Sequence, residues 1–185
     1  MIYILAGLAK SGKSLIAKKV LETKHIQVLS TDWIMMMLYH GNPNLGIDVH
    51  KSDISVSRQL EPYLEDLIKA LVSSKKDILI EGVHIQPAFA SKLMAAFPNR
   101  IKAVFLGYKT VHPEQKAKEL VKNAHNIDNP WYMNMDEPDL LKLTHYLQKE
   151  SIKLEQSCQQ FHQVYIEIED VMTQIDDIID QLFEC

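Results

Sequence analysis

Residues 7 to 14 run Gly7-Leu8-Ala9-Lys10-Ser11-Gly12-Lys13-Ser14, with glycines at the first and sixth of eight places, followed by Lys and Ser. This is the spacing of a phosphate-binding loop, and its mechanics restrict the fold around it. Glycine lets the backbone turn where a side chain would clash, so successive N–H groups can converge on phosphate oxygens. The helix that follows adds its positive N-terminal end. A strand must lead in and a helix must follow, and the flanks comply: Ile2 to Ala6 is a short aliphatic run, and Lys13 to Glu22 has a helical period. Lys13 is placed to reach the β- and γ-phosphates of a nucleotide as a point charge, and Ser14 to offer its hydroxyl to Mg²⁺. Lys10 and Ser11 fill variable places of the loop. The competing reading is a glycine turn that merely joins a strand to a helix.

The rest of the chain repeats the alternation. Apolar runs at Gln27 to Leu29, Asp77 to Glu81, Ile101 to Leu106 and Gln163 to Ile168 read as four more strands. Helical patterns follow at Trp33 to Tyr39, Pro87 to Ala96, Pro113 to Lys122 and Val171 to Phe183, with two further helices at about 57–72 and 139–158. Short buried-looking strands alternating with helices imply an α/β fold, a five-stranded parallel sheet covered by helices on both faces. Two stretches read as loops, His40 to Lys51 and Asn126 to Pro138. Each is either a moving element of a site or a plain connection.

Composition excludes several classes of function. A chain of 185 residues with 46% hydrophobic and 24% charged residues has the make-up of one globular domain. Its net charge is −4, and its two arginines, Arg58 and Arg100, form no basic stripe, so nucleic-acid binding is not expected. Cys158 and Cys185 lack metal-type spacing and suggest a reducing compartment without a disulfide. The apolar run from Met1 lacks a basic leader and breaks at Lys10, and no stretch is long enough to span a bilayer. A soluble, cytoplasmic protein is expected.

In an open α/β sheet, ligands collect beyond the carboxyl ends of the strands. Asp32 follows the second strand, where it can take the proton of an acceptor hydroxyl or cap the helix that starts at Trp33. Glu81 ends the third strand, where it can hold Mg²⁺ through water, orient an acceptor, or simply face solvent. His84 lies just past it, as a substrate contact or a tolerated histidine. Arg58 is the candidate for an acceptor anion, whereas Arg100 precedes the fourth strand and falls at the opposite end of the sheet. Lys109, Lys116, Lys118 and Lys122 are the cations near a lid, or else a solvated helix face.

The order of strand, phosphate loop, post-strand aspartate, Glu-Gly strand end and lysine-bearing segment resembles the nucleoside monophosphate kinase-like group of small P-loop kinases. Ser30-Thr31-Asp32 and Ile80-Glu81-Gly82-Val83-His84-Ile85-Gln86-Pro87 look most like its 2-phosphoglycerate kinase-like branch. The resemblance implies a three-layer P-loop NTPase fold in a single domain, 1–185, with the first strand central and the third beside it. It also implies ATP and Mg²⁺ at Gly7 to Ser14, with Lys13, Asp32 and Glu81 as catalytic residues. The acceptor would sit near Asp32, Arg58, Glu81 and His84, against helices at about 33–73, with a lid at about 110–138. Adenine would lie near Glu169 and Asp170. The expected reaction passes the γ-phosphate of ATP to a small molecule. The alternatives are a nucleoside or nucleotide kinase and a non-catalytic ATP-binding module. Arginines are missing after the third strand and in the lid, where such kinases commonly carry them.

Overall fold

A computed structural model describes residues 1–126 and 130–184. Its strands are β1 (Ile2–Gly7), β2 (Gln27–Ser30), β3 (Ile78–Glu81), β4 (Ile101–Gly107) and β5 (Val164–Glu167). They form one sheet in the order β2-β3-β1-β4-β5, with every pairing parallel. The helices are α1 (Lys13–Lys24), α2 (Thr31–Gly41), α3 (Asp53–Ser74), α4 (Pro87–Ala96), α5 (Pro113–Asn123), α6 (Glu137–Gln160) and α7 (Val171–Phe183).

β1 occupies the centre because it can be covered on both faces. All six of its residues are buried, and successive side chains alternate between two cores. Ile2, Ile4 and Ala6 join the aliphatic faces of α3, α4 and α6. Tyr3 and Leu5 join those of α1 and α7 on the other side. Cys158 is fully buried in the first core, where burial pushes its thiol up to about 12 and makes it a poor nucleophile. Cys185 lies outside the described residues.

Three helix starts differ from the sequence reading, and each is explained by a cap. α3 begins at Asp53 rather than near Ser57, because the Ser52 hydroxyl accepts the Ser55 N–H at 3.4 Å. α6 begins at Glu137, with Asp136 accepting the Asp139 N–H at 2.9 Å and Pro138 fitting the first turn. α2 begins at Thr31, directly after β2, with Ser30 as its cap. The stretch 40–51 is partly structured, since α2 runs to Gly41 and Pro43–Leu45 forms a 3₁₀ turn. In the second stretch Trp131–Asn134 is a 3₁₀ turn, and residues 127–129 lie outside the described residues. Among the described residues no helix is long and apolar enough to cross a membrane.

Candidate active site

The strand–loop–helix arrangement that the phosphate-binding pattern requires is present. Gly12 precedes α1 with φ 85, and a Cβ there would run into the Val171 side chain at the start of α7. The sixth-place glycine therefore serves both a left-handed backbone and a close approach. Lys13 is buried and donates to the carbonyls of Gly7, at 3.3 Å, and Leu8, while Ser11 Oγ donates to Leu8 O at 2.8 Å. Tyr108, just past β4, donates its hydroxyl to the Ala9 carbonyl at 2.7 Å and so fixes the middle of the loop. The Lys10 ammonium lies 4.9 Å from the centre of the Tyr132 ring, a distance at which a cation is attracted to the ring face. Ser14 is exposed in the first turn of α1, open to a ligand.

Around Lys13 stand carboxylates from three elements. Glu81 ends β3 opposite Ser30 of β2. It is buried, which corrects the solvent-facing alternative. Burial pushes its carboxyl up, and the Ser30 hydroxyl and the Lys13 charge pull it partly back. Asp32 lies in the first turn of α2 with its side chain 62% exposed. It is not the helix cap: the Ser30 hydroxyl accepts the Asp32 N–H at 3.3 Å, which leaves the Asp32 carboxylate available. Asp53, in the first turn of α3, is the third. Lys13 feels burial most strongly, which lowers its pKa to about 8 against the pull of Glu81, Asp32 and Asp53.

His84 is buried beside this group. Its Nδ1 lies 3.0 Å from Thr31 Oγ1 and 3.4 Å from Asp32 Oδ1. Burial lowers its pKa more than Asp32 and Asp53 raise it, so the neutral imidazole is favoured. Gly82 makes this packing possible: at φ 148, a Cβ would overlap Thr31 Oγ1. Gly82→Ala should displace Thr31, break its bond to His84 and lower stability by about 3 kcal/mol. Urea denaturation reads that loss, and a variant within 0.5 kcal/mol of the parent (about the noise of a surface change) would show that the packing relaxes freely.

A cavity of about 560 Å³ opens beside Gly7 and Leu8 between α3, the segment after β3 and α6. Its wall brings together Arg58 and His84, both anticipated from sequence, with Asp53, Glu61, Tyr146 and Glu150, which were not. Asp53 went unnoticed because it falls in the four residues by which α3 starts earlier; the Ser52 cap was the available signal. Tyr146 and Glu150 belong to α6, and nothing local in the sequence links that helix to the phosphate loop. No group of three or more His, Cys, Asp or Glu forms a metal cluster among the described residues. The exposed Ser14 hydroxyl and the Glu81 carboxylate are oxygen donors of the kind Mg²⁺ takes, an ion that keeps several waters and few protein ligands beside substrate phosphates.

No family model matches the chain, and no curated protein matches it in sequence. Solved structures do resemble it. Shikimate kinase from Bacteroides thetaiotaomicron superposes with a TM-score of 0.59 at 14% identity, over 100% of this chain and 99% of that one. A gluconokinase from Sinorhizobium meliloti 1021 gives 0.56 at 17%, over 98% and 88%. An uncharacterized protein from Eubacterium ventriosum gives 0.55 at 16%, over 98% and 97%. The fold is that of the shikimate kinase-like P-loop proteins. At these identities the likeness is one of fold, and the chemistry of this chain has to be argued from its own residues.

Those residues depart from the sequence reading in the stretch 110–138 and just before it. Lys116 is neither a free cation nor part of a solvated face. It is buried, paired with Glu119, with its ammonium 4.3 Å from the centre of the Tyr108 ring. Lys109 pairs with Glu155. Lys118 and Lys122 are exposed, as a solvated face requires. Arg100 donates to the Val72 carbonyl at 3.0 Å, at the amino end of β4 and away from the cavity.

Proposed function

We propose that the chain is an ATP- and Mg²⁺-dependent kinase that passes a γ-phosphate to a hydroxyl of a small acceptor. The observation that carries this reading is the buried Lys13 ammonium, held in the phosphate loop and faced by Glu81, Asp32 and Asp53, with a cavity opening beside the loop. Backbone N–H groups of Gly7 to Ser14 and the N-terminus of α1 receive the phosphates, Lys13 leaves its loop carbonyls for the β/γ oxygens, and the turn around Glu169 and Asp170 accepts the adenine. Ser14 and Glu81 would hold Mg²⁺, which when bound would supply charge neutralisation on the phosphate oxygens. Asp32 takes the acceptor proton, the acceptor oxygen bonds to the γ-phosphorus, and the bond from that phosphorus to the β-bridging oxygen breaks to release ADP. Arg58 and His84 contact the acceptor, the helices at 33–73 frame it, and the region 110–138 closes over it within a single domain, 1–185.

The phosphoglycerate acceptor suggested by sequence resemblance draws little support from the cavity wall, where carboxylates outnumber cations. A nucleoside is better suited than a nucleoside monophosphate for the same reason. One observation favours a non-catalytic ATP-binding module: Lys109 and Lys116 are each tied to a carboxylate.

Incubation with Mg·ATP and a panel of sugars, polyols, amino alcohols, nucleosides and phosphoglycerates, with Lys13→Ala as control, tests the reading. Acceptor-dependent ADP and phosphorylated product, both lost in the control, are expected. Nucleotide binding without turnover across the panel would favour the binding module.

A further inference from the structure

The ionisable groups of the cavity wall specify a class of acceptor. Asp53, Glu61 and Glu150 face Arg58 and Lys153 there. Lys153 Nζ sits 2.6 Å from Glu150, and Glu61 is met from outside the wall by Lys92 at 3.7 Å. Asp53 and Arg58 make no ion pair with any other described residue. Asp53 stands at the reaction end of the cavity, close enough to act on Lys13 and His84. It also acts on the Tyr146 phenol from α3, as Glu150 does from α6. Two carboxylates and an aromatic ring from two helices thus line one cavity, together with the apolar side chains of Ile85, Phe89, Leu147 and Leu154.

An anionic acceptor would bring its charge toward Asp53 and Glu150, where like charges repel. An ammonium gains instead: it donates a charge-assisted hydrogen bond to the Asp53 carboxylate and lies against the ring. Resting on the kinase reading of this site, we infer that the acceptor is a hydroxylated amine, its ammonium held by Asp53 against the Tyr146 ring and its hydroxyl directed to Asp32. Arg58 then offers its donors to further hydroxyl or carbonyl oxygens of the same molecule.

Calorimetric binding to the full chain in Mg·ADP tests this without requiring turnover. Two matched sets serve as probes: glucosamine, glucose and glucuronate; serinol, glycerol and glycerate. In each set the amine should bind about tenfold tighter than the neutral member, the worth of one charge-assisted hydrogen bond, and the carboxylate should bind weakest. Asp53→Asn should erase most of that advantage and Asp53→Glu should retain it, with ADP affinity within about threefold and melting temperature lowered only slightly, because Ser52, not Asp53, caps α3 and only a charge near the helix N-terminus is lost. Tighter binding of the carboxylates, an amine preference that survives in Asp53→Asn, or no binding of either amine would each overturn the assignment. Amines that bind but receive no phosphate from Mg·ATP would uphold the amine site and reject the kinase reading.

Discussion

Lys13→Met should leave a nucleotide-free protein that is more stable than the parent and binds Mg·ATP at least about a hundredfold more weakly. The two effects share one cause. Burial dominates the environment of the ammonium and holds its pKa at about 8, below the 10.5 of an exposed lysine, despite three facing carboxylates. Removing the charge relieves that cost, and the carboxylates left behind tolerate its loss. Asp32 and Asp53 are exposed to water, and Glu81 keeps the Ser30 hydroxyl and can take a proton. The sign with pH follows from proton counting. Between about 8 and 10.5 the unfolded chain carries more protons on Lys13 than the folded one, so the parent gains stability as pH rises through that window. The advantage of the methionine variant should be full below pH 8 and shrink toward pH 10.5. Phosphate oxygens raise the lysine pKa, so binding of Mg·ATP near pH 9 (roughly the middle of that window) should take up protons. Calorimetry in buffers of different ionisation enthalpy reads this uptake. Equal melting temperatures for parent and variant at pH 7 and 10 (about one unit or less outside and inside the window), with no proton uptake, would show that Lys13 is not held as described.

The sheet was legible in the sequence because a strand covered on both faces must be an unbroken run of core-forming side chains, and Ile2 to Leu5 and Ile78 to Ile80 are such runs. The strand, turn and helix around Gly7 to Ser14 were legible because the mechanics of a phosphate-binding pattern fix four residue types in eight places. The acceptor side was less so. Asp53 and Glu150 are nearly a hundred residues apart, on helices whose facing surfaces meet only once the sheet has ordered them. Ser30, Thr31 and Asp32 all suit a helix N-terminus, and only the backbone decides which of them caps. That Ser30 does so, bonded also to Glu81, leaves the Asp32 carboxylate out of the cap. Lys116 lies on a helix also bearing Glu114, Lys118 and Lys122, and it reads as solvated. Its burial depends on Tyr108, from the end of β4, and on Glu119 one turn later. Pairing with partners distant in sequence is what local patterns cannot show.

Asp32→Asn separates the chemical from the structural role of this position. Because Ser30 supplies the cap, the variant keeps the start of α2 and forfeits only the favourable placement of a negative charge near the helix N-terminus, about 0.5 kcal/mol. Nucleotide affinity should stay within about threefold, under 1 kcal/mol, since Asp32 acts on Lys13 less than either burial or Glu81 does. Transfer to an acceptor should fall by about 10² to 10⁴, the usual contribution of a positioned base, because an amide cannot take the hydroxyl proton. A second signature lies at His84. The Asp32 carboxylate, 3.4 Å from Nδ1, pulls the imidazole pKa upward against burial, so the variant should titrate lower by NMR, with its ring still bonded to Thr31. Single-turnover transfer, nucleotide calorimetry and the His84 titration together decide the outcome. A large loss of transfer with intact stability and affinity assigns the base to Asp32. Unchanged transfer would remove it from the reaction and leave it as a charge at the end of α2, and a loss of stability matching the loss of transfer would make its role structural.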